Sequence, residues 1–258
     1  MSHVIRRSWL VVGSMGAAGV LLFGPIMFAS LIARETTTLS RTFDATGIAV
    51  LDVQVSDGSV LVVGDEVSTI RVEAVVSSGL WDTRTTIAVA GDRLSLGSRC
   101  PGPLSHHCAV DWVVHAPPGI RLEGRSSDTD VRVDGLRGGV SYVSADGALT
   151  LDDVGGPVAV ETRDGAFRAT GLGSGPVNAT SRDGDVELEF AEPPSAVAAK
   201  GRDGSVTVVL PAGSGPYDLT ASAVDGQVTA PVRTDPSSER AVTVDARDGD
   251  VTVRYAAP

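Results

Sequence analysis

A short unit centred on Asp-Gly recurs along this chain and limits the folds that the chain can adopt. Seven pairs carry the unit, and Asp128-Thr129 is a variant of it: Asp57-Gly58, Asp146-Gly147, Asp164-Gly165, Asp183-Gly184, Asp203-Gly204, Asp225-Gly226 and Asp248-Gly249. The residues three and five positions after each Asp are apolar without exception, and those six and four positions before it are nearly always so. This period-two alternation predicts two half-buried strands that meet at a corner. We interpret all seven pairs as structural turns, in which Gly supplies a positive φ at no steric cost.

The spacing of the units indicates how they are stacked. Successive Asp positions lie 18, 18, 19, 20, 22 and 23 residues apart from Asp128 to Asp248, and the added length falls in Gly/Pro-rich connections. We therefore predict an all-β fold, a parallel β-solenoid (right-handed β-helix-like) in which each unit forms one coil. An antiparallel array of β-hairpins, with each Asp-Gly as a two-residue turn, is the alternative, because periodicity does not distinguish parallel from antiparallel pairing.

The N-terminal segment predicts a membrane anchor. Arg6 and Arg7 precede 26 uncharged residues (8–33), which is long enough to cross a bilayer as a helix. We predict a cytoplasmic tail at 1–8, a transmembrane helix or uncleaved signal anchor at 9–33 and a linker at 34–40, with the C-terminal domain extracytoplasmic. The alternative is a signal peptide whose cleavage releases a secreted protein.

The remaining residues, 41–258, are expected to form one extracytoplasmic β-repeat domain. Residues 69–119 interrupt the repeat, and we predict that this insertion adds strands at 70–76, 85–90 and 109–116. These strands are expected to cap the stack, because a bare end coil would expose open hydrogen-bonding edges.

The charge of the exported part limits its partners. Without Arg6 and Arg7 it holds 19 basic and 32 acidic residues, a net charge of −13. This charge argues against nucleic acid and against an anionic membrane surface. A cell-wall polymer or an envelope protein is the partner class that we expect.

The two cysteines, Cys100 and Cys108, lie in the predicted insertion. Outside the cytoplasm a pair this close predicts a disulfide that closes a small loop. A metal site formed with His106 and His107 is the alternative, although the spacing matches no common zinc module.

Four units begin with Arg before the Asp-Gly pair: Arg163, Arg182, Arg202 and Arg247. Stacked coils would align these residues into neighbouring Arg and Asp ladders along one edge. Such ladders are typical of a solvated corner, and a strip that binds a glycan or calcium is the alternative. No common catalytic motif is present, so we predict neither enzyme activity nor a cofactor.

Three segments resemble the repeats of a bacterial family: residues 56–62, 181–188 and 201–208, of which the last two read Ser-Arg-Asp-Gly-Asp-Val-Glu-Leu and Gly-Arg-Asp-Gly-Ser-Val-Thr-Val. The family is the "putative adhesin" family of uncharacterised cell-envelope proteins. The resemblance implies an N-terminal membrane helix, a parallel β-solenoid outside the membrane and a location in the cell envelope.

Together these features predict a membrane-anchored, extracytoplasmic β-solenoid that acts non-catalytically, as an envelope scaffold or an adhesin-like binding surface. A sensory or accessory subunit of an envelope-stress system is one alternative. A polysaccharide-active enzyme is the other, because parallel β-helices often host that activity.

Overall fold

The computed structural model describes residues 35–79, 82–100 and 108–257, and all regular structure in these residues is β-strand. None of these residues belongs to a helix that could span a membrane. The predicted tail at 1–8 and membrane helix at 9–33 lie outside the described residues. The predicted linker at 34–40 differs from the structure, in which the first strand begins at Glu35.

Nineteen strands follow one another along the described chain. The first seven are β1 Glu35–Asp44, β2 Val50–Gly64, β3 Thr69–Ser78, β4 Arg84–Ala90, β5 Arg93–Arg99, β6 Ala109–Ala116 and β7 Arg121–Asp134. The next eight are β8 Val140–Ser144, β9 Leu149–Asp152, β10 Val158–Thr162, β11 Phe167–Leu172, β12 Val177–Ser181, β13 Val186–Phe190, β14 Ala196–Gly201 and β15 Val206–Leu210. The last four are β16 Asp218–Ala223, β17 Val228–Thr229, β18 Ala241–Ala246 and β19 Val251–Tyr255.

Each repeat unit forms one coil, with one strand before its corner and one strand after it. The strands before the corners form one sheet, the pre-corner sheet, in the order β4-β5-β2-β7-β8-β10-β12-β14-β18-β16. The post-corner sheet has the order β1-β3-β6-β2-β7-β9-β11-β13-β15-β19-β17. All pairings between repeat units are parallel. The β-solenoid-like prediction is therefore confirmed, and the hairpin array is wrong.

The long strands β2 and β7 each contribute to both sheets. Their parallel register runs through the corner, with Val55 opposite Ser126 and Asp57 opposite Asp128. The Asp57-Gly58 pair therefore lies inside a continuous strand that bends, and not in a separate turn.

The last two coils are stacked in the reverse of their chain order. Strand β14 pairs with β18, and β18 then pairs with β16. In the post-corner sheet, β15 likewise pairs with β19, and β19 pairs with β17. The chain thus skips one position after β15, forms the end coil β16–β17, and returns to fill the gap with β18–β19.

The insertion at 69–119 contains two kinds of strand. The pairing is antiparallel between β3 and β6, between β4 and β5, and between β1 and β3. Strands β1, β3 and β4 therefore cap one end of the stack. Strands β5 and β6 pair parallel with β2 and form a further coil. The predicted strand at 109–116 is therefore part of a coil, and the sequence prediction missed its partner β5.

The core consists of inward-facing side chains stacked from coil to coil. Val177 and Ala179 before one corner are buried, as are Val186 and Leu188 after it. Burial of a Val or Leu side chain contributes about 1.5–3 kcal/mol, so the repeated columns supply the main stabilising term. The outward-facing positions and the corners remain available for interaction.

Candidate functional site

The corners from Asp146 onward stack on one another and form a ridge along the stack. At each of them the Asp backbone N–H donates a hydrogen bond to a carbonyl of the neighbouring corner, as from Asp203 to Arg182 and from Asp248 to Arg202, both at 2.7 Å. The six Asp-Gly pairs at 146, 164, 183, 203, 225 and 248 all lie in the bends between a pre-corner strand and a post-corner strand. The corners therefore have the same regular spacing as the strands, about 4.8 Å.

Close approach between coils explains the corner glycines. Only Gly58 among the seven has a positive φ, so the expectation that the others supply one is wrong. A Cβ atom at Gly184 or Gly204 would instead lie less than 3.0 Å from the carbonyl oxygen of the glycine in the neighbouring coil. Glycine is required here because the stacked backbones leave no room for a side chain.

At two corners, a serine two positions before the Asp closes the corner from inside. The buried Ser144 hydroxyl donates to the Gly147 carbonyl at 3.0 Å, and the Ser181 hydroxyl donates to the Gly184 carbonyl at 2.6 Å. Each bond joins the two sides of one corner and satisfies a buried polar group. In the sequence this position holds a small residue in every unit except the first, which has Val55, but the alternation pattern does not predict the hydrogen bond.

The reversed order of the last two coils makes the Arg ladder continuous. Along the chain, Val224 separates Arg202 from Arg247, because the unit at Asp225 lacks an Arg. In the structure the corner of Arg247 lies directly beside that of Arg202, and Val224 follows at the end of the stack. Arg163, Arg182, Arg202 and Arg247 therefore occupy four consecutive coils.

Three of these arginines lie beside the Asp of their own unit. Nε is 3.7 Å from Oδ2 in the pairs Arg182–Asp183 and Arg202–Asp203, and 3.9 Å in Arg247–Asp248. Their side chains remain more than half exposed, so these pairs add little to stability. The ridge thus presents alternating donors and acceptors to solvent.

A shallow cleft of about 640 Å³ lies where the Arg ladder begins. In the two preceding coils the residue before the Asp is Ser127 or Ala145. These small residues leave open the space that the Arg side chain fills in the following coils. Three arginines and one acid line the cleft: Arg125, Arg163, Arg182 and Glu161. Arg125 and Arg163 are exposed and form no ion pair within 4 Å with any described residue. The cleft is therefore a locally cationic surface on an acidic protein.

A second groove crosses the outer face of the pre-corner sheet over several coils. It is apolar, with a volume of about 640 Å³, and among its lining residues are Ala159, Ala198, Pro157 and Pro176. It contains no aromatic side chain on which a sugar ring could stack. We therefore regard the cationic cleft as the stronger candidate.

The disulfide predicted between Cys100 and Cys108 is confirmed, with a Cα–Cα distance of 5.8 Å. It closes the connection between β5 and β6, so it occupies the corner of that coil. The Asp57 carboxylate lies 3.1 Å from Cys100 Sγ, at the neighbouring corner. His106 and His107 lie outside the described residues, and no group of metal-ligating side chains occurs in the described part of the chain.

The largest pKa shift in the described chain belongs to an interior residue. Burial raises the pKa of Tyr142 to about 12. Its ring lies where a Cβ atom on Gly124 would be, in the core between two coils. A shifted pKa often marks an active site, but Tyr142 is buried in the hydrophobic core, so we interpret its role as structural.

The family resemblance drawn from the repeats is confirmed. The chain belongs to the Toastrack DUF4097 family, whose model matches residues 120–254. No curated protein matches this chain at a significant level.

Several solved bacterial structures match this chain at low sequence identity. A putative adhesin from Bacteroides fragilis is 12% identical, with 85% of this chain and 97% of that chain covered and a TM-score of 0.48. A putative adhesin from Parabacteroides merdae is 12% identical, with 86% and 97% covered and a TM-score of 0.43. A putative cell adhesion protein from Clostridium sporogenes is 13% identical, with 86% and 100% covered and a TM-score of 0.41.

Proposed function

We propose that this protein is a membrane-anchored, extracytoplasmic scaffold that binds a cell-wall polymer non-catalytically. The anchor is supported by the 26 uncharged residues at 8–33, and the export of the domain by the Arg6-Arg7 pair before them. The cationic cleft is the observation that supports binding.

The chemistry of the cleft favours a polymer that carries carboxylate or phosphate groups. Arg presents a planar set of donors that matches such groups bidentately. Arg125 and Arg163 have no acidic partner within 4 Å among the described residues, so they can accept one from a ligand without breaking an ion pair. The acidic surroundings repel a dense polyanion, which restricts binding to a polymer with well-separated anionic groups.

Co-sedimentation with purified cell walls tests this proposal. The full chain in detergent micelles is mixed with cell-wall fragments at low ionic strength, and the bound fraction is measured. We expect Arg125→Ala combined with Arg163→Ala and Arg182→Ala to weaken binding at least tenfold. The matched control replaces three exposed arginines outside the cleft, Arg41, Arg71 and Arg254, with Ala and changes the net charge equally.

Two results would contradict the proposal. If the wild-type chain does not sediment with the walls, it does not bind the polymer. If the cleft variant and the control lose binding equally, only net charge matters and the cleft is not the site.

A further inference from the structure

We propose that the end coil β16–β17 is a dimerisation surface at which two copies of this chain pair end to end through β16. This inference goes beyond polymer binding and does not depend on it. It rests on an open strand edge, an exposed apolar face and a self-complementary register.

In the part of the chain that the structure describes, strands cap only one end of the stack. Strands β1, β3 and β4 cover the end near residue 35, whereas within the described residues no strand pairs with the outer edges of β16 and β17. Natural proteins usually protect such edges with Lys, Pro or a covering segment. Strand β16 has the sequence Asp-Leu-Thr-Ala-Ser-Ala and carries neither residue.

The inner side chains of the end coil remain accessible. Leu219, Ala221 and Ala223 continue the buried columns of the preceding coils, but each is only partly buried. Val228 after the corner is 45% exposed, and Val224 at the corner is 75% exposed. A further layer of β-structure would bury this apolar face.

The backbone groups available for pairing can be assigned from the ladder. Asp218 and Val224 donate their N–H groups toward the neighbouring β18 segment, to Arg240 and Ala246. In a parallel ladder alternate residues point to opposite edges, so Leu219, Ala221 and Ala223 direct their N–H and C=O groups outward. At Tyr217 the outward groups are already bonded to Arg233 and Asp235, which limits the free edge to those three residues.

These three residues match a second copy related by a two-fold axis. With the axis at Ala221, the two Ala221 residues face each other, and Leu219 faces Ala223 of the second copy. By symmetry, Ala223 faces Leu219 of the second copy. These three facing pairs are hydrogen-bonded pairs of an antiparallel ladder, and each pair exchanges two bonds, which gives six new hydrogen bonds. Their side chains all lie on the inner face, so the exposed apolar columns of the two copies become continuous.

Charge also permits this register. Asp218 is the only charged residue of β16, and it would face the apolar Val224 of the second copy. The two Asp218 carboxylates then lie about 20 Å apart, at opposite ends of the paired strands. A two-fold interface of this kind closes on itself and yields a dimer, not a filament.

Cysteine crosslinking and mass measurement test the proposal on the full chain in detergent micelles. Paired Ala221 residues would have a Cα–Cα distance of about 5.5 Å, which suits a disulfide. We expect Ala221→Cys to give a covalent dimer on mild oxidation, whereas exposed Ala166→Cys on the side of the stack should not. Because the crosslink forms at β16, it distinguishes this interface from any association through residues 9–33.

A charge variant provides the second measurement. Ala221→Lys places two ammonium groups opposite each other at the axis, and we expect at least a tenfold fall in the dimer fraction measured by analytical ultracentrifugation. Its thermal unfolding reports whether the fold is intact. A monomeric wild type, the absence of the Ala221→Cys crosslink, or a series of larger oligomers would each overturn the proposal.

Discussion

Gly249 lies directly against Gly204, although Gly226 comes between them in the chain. A Cβ atom on Gly249 would clash with the Gly204 carbonyl, and one on Gly226 would clash with the Gly249 carbonyl. The strand pairings of β14 with β18 and of β18 with β16 give the same order. The C-terminal coil is therefore internal, and the coil before it forms the end of the stack.

Core truncations test this order of coils. Val244 in β18 is fully buried, whereas Leu219 in β16 is only partly buried. At protein concentrations low enough to keep the chain monomeric, we expect Val244→Ala to lower the free energy of unfolding by about 2 kcal/mol, and Leu219→Ala by about 1 kcal/mol or less. Chemical denaturation of both variants measures the difference. Stacking in chain order would reverse the ranking, because Leu219 would then be internal.

The corner glycines provide the next prediction. We expect Gly204→Ala to lower the free energy of unfolding by about 2–3 kcal/mol, because the added Cβ meets the backbone of the neighbouring coil. Gly119 is the control, since nothing lies within 4 Å of its Cβ position. Gly119→Ala should be neutral or stabilising by up to about 1 kcal/mol in the same denaturation assay. Equal effects at both positions would contradict the close-approach explanation.

Removal of the disulfide should loosen the coil that it closes. For Cys100→Ser combined with Cys108→Ser, loop-closure entropy predicts a loss of about 2.5 kcal/mol. Hydrogen exchange should increase first in β5 and β6, while β10–β13 stay protected. The reduced wild-type protein is the control and should behave like the double variant. Uniform loss of protection along the stack would show that the disulfide does not stabilise the β5–β6 coil locally.

Alkaline pH should destabilise the protein through Tyr142. The unfolded chain ionises this hydroxyl near the ordinary tyrosine pKa of 10.0, whereas in the folded chain the pKa is about 12. Between these values the unfolded state binds fewer protons at this group, so the contribution of Tyr142 to stability is fully present below about pH 10 and is lost as the pH rises toward 12. The full effect is about 2–3 kcal/mol.

Substitution of Tyr142 isolates this contribution. We expect Tyr142→Phe to follow the wild type in denaturation experiments from pH 7 to 9, apart from a constant offset. Above pH 10 the variant should lose less stability than the wild type. Parallel curves over the whole pH range would contradict a raised pKa at this residue.

The sequence predicted the strands of the repeats well, because local alternation is enough to define them. The apolar pairs Val158/Val160 and Val206/Val208, for example, are buried in β10 and β15 as expected. The same local reasoning failed at the corner glycines, since their constraint comes from a backbone about 20 residues away in the chain. It also missed β5, whose Leu94 and Leu96 alternate in the same manner but lack an Asp-Gly pair.

The cationic cleft could be predicted only in part. The Arg-Asp-Gly runs at 163–165 and 182–184 predicted neighbouring ladders, and the stacking aligns them. Arg125 belongs to the variant unit at Asp128 and lies outside the Arg-Asp-Gly runs, so no motif in the sequence predicted that it would join them. It joins the cleft because parallel register places its strand two coils from that of Arg163, with Val143 and Ala145 between them.

Side-chain alternation specifies the two strands of each coil, because it depends only on residues close in the chain. The order of the coils is different. The units at Asp225 and Asp248 have nearly the same pattern, so either could pair with β14 and β15 on local grounds. Only the tertiary contacts place the unit with Val242, Val244, Val251 and Val253 inside the stack. The unit with Leu219, Ala221 and Val228 has fewer large side chains to bury, and burial of more apolar surface by the other coil explains why it forms the exposed end.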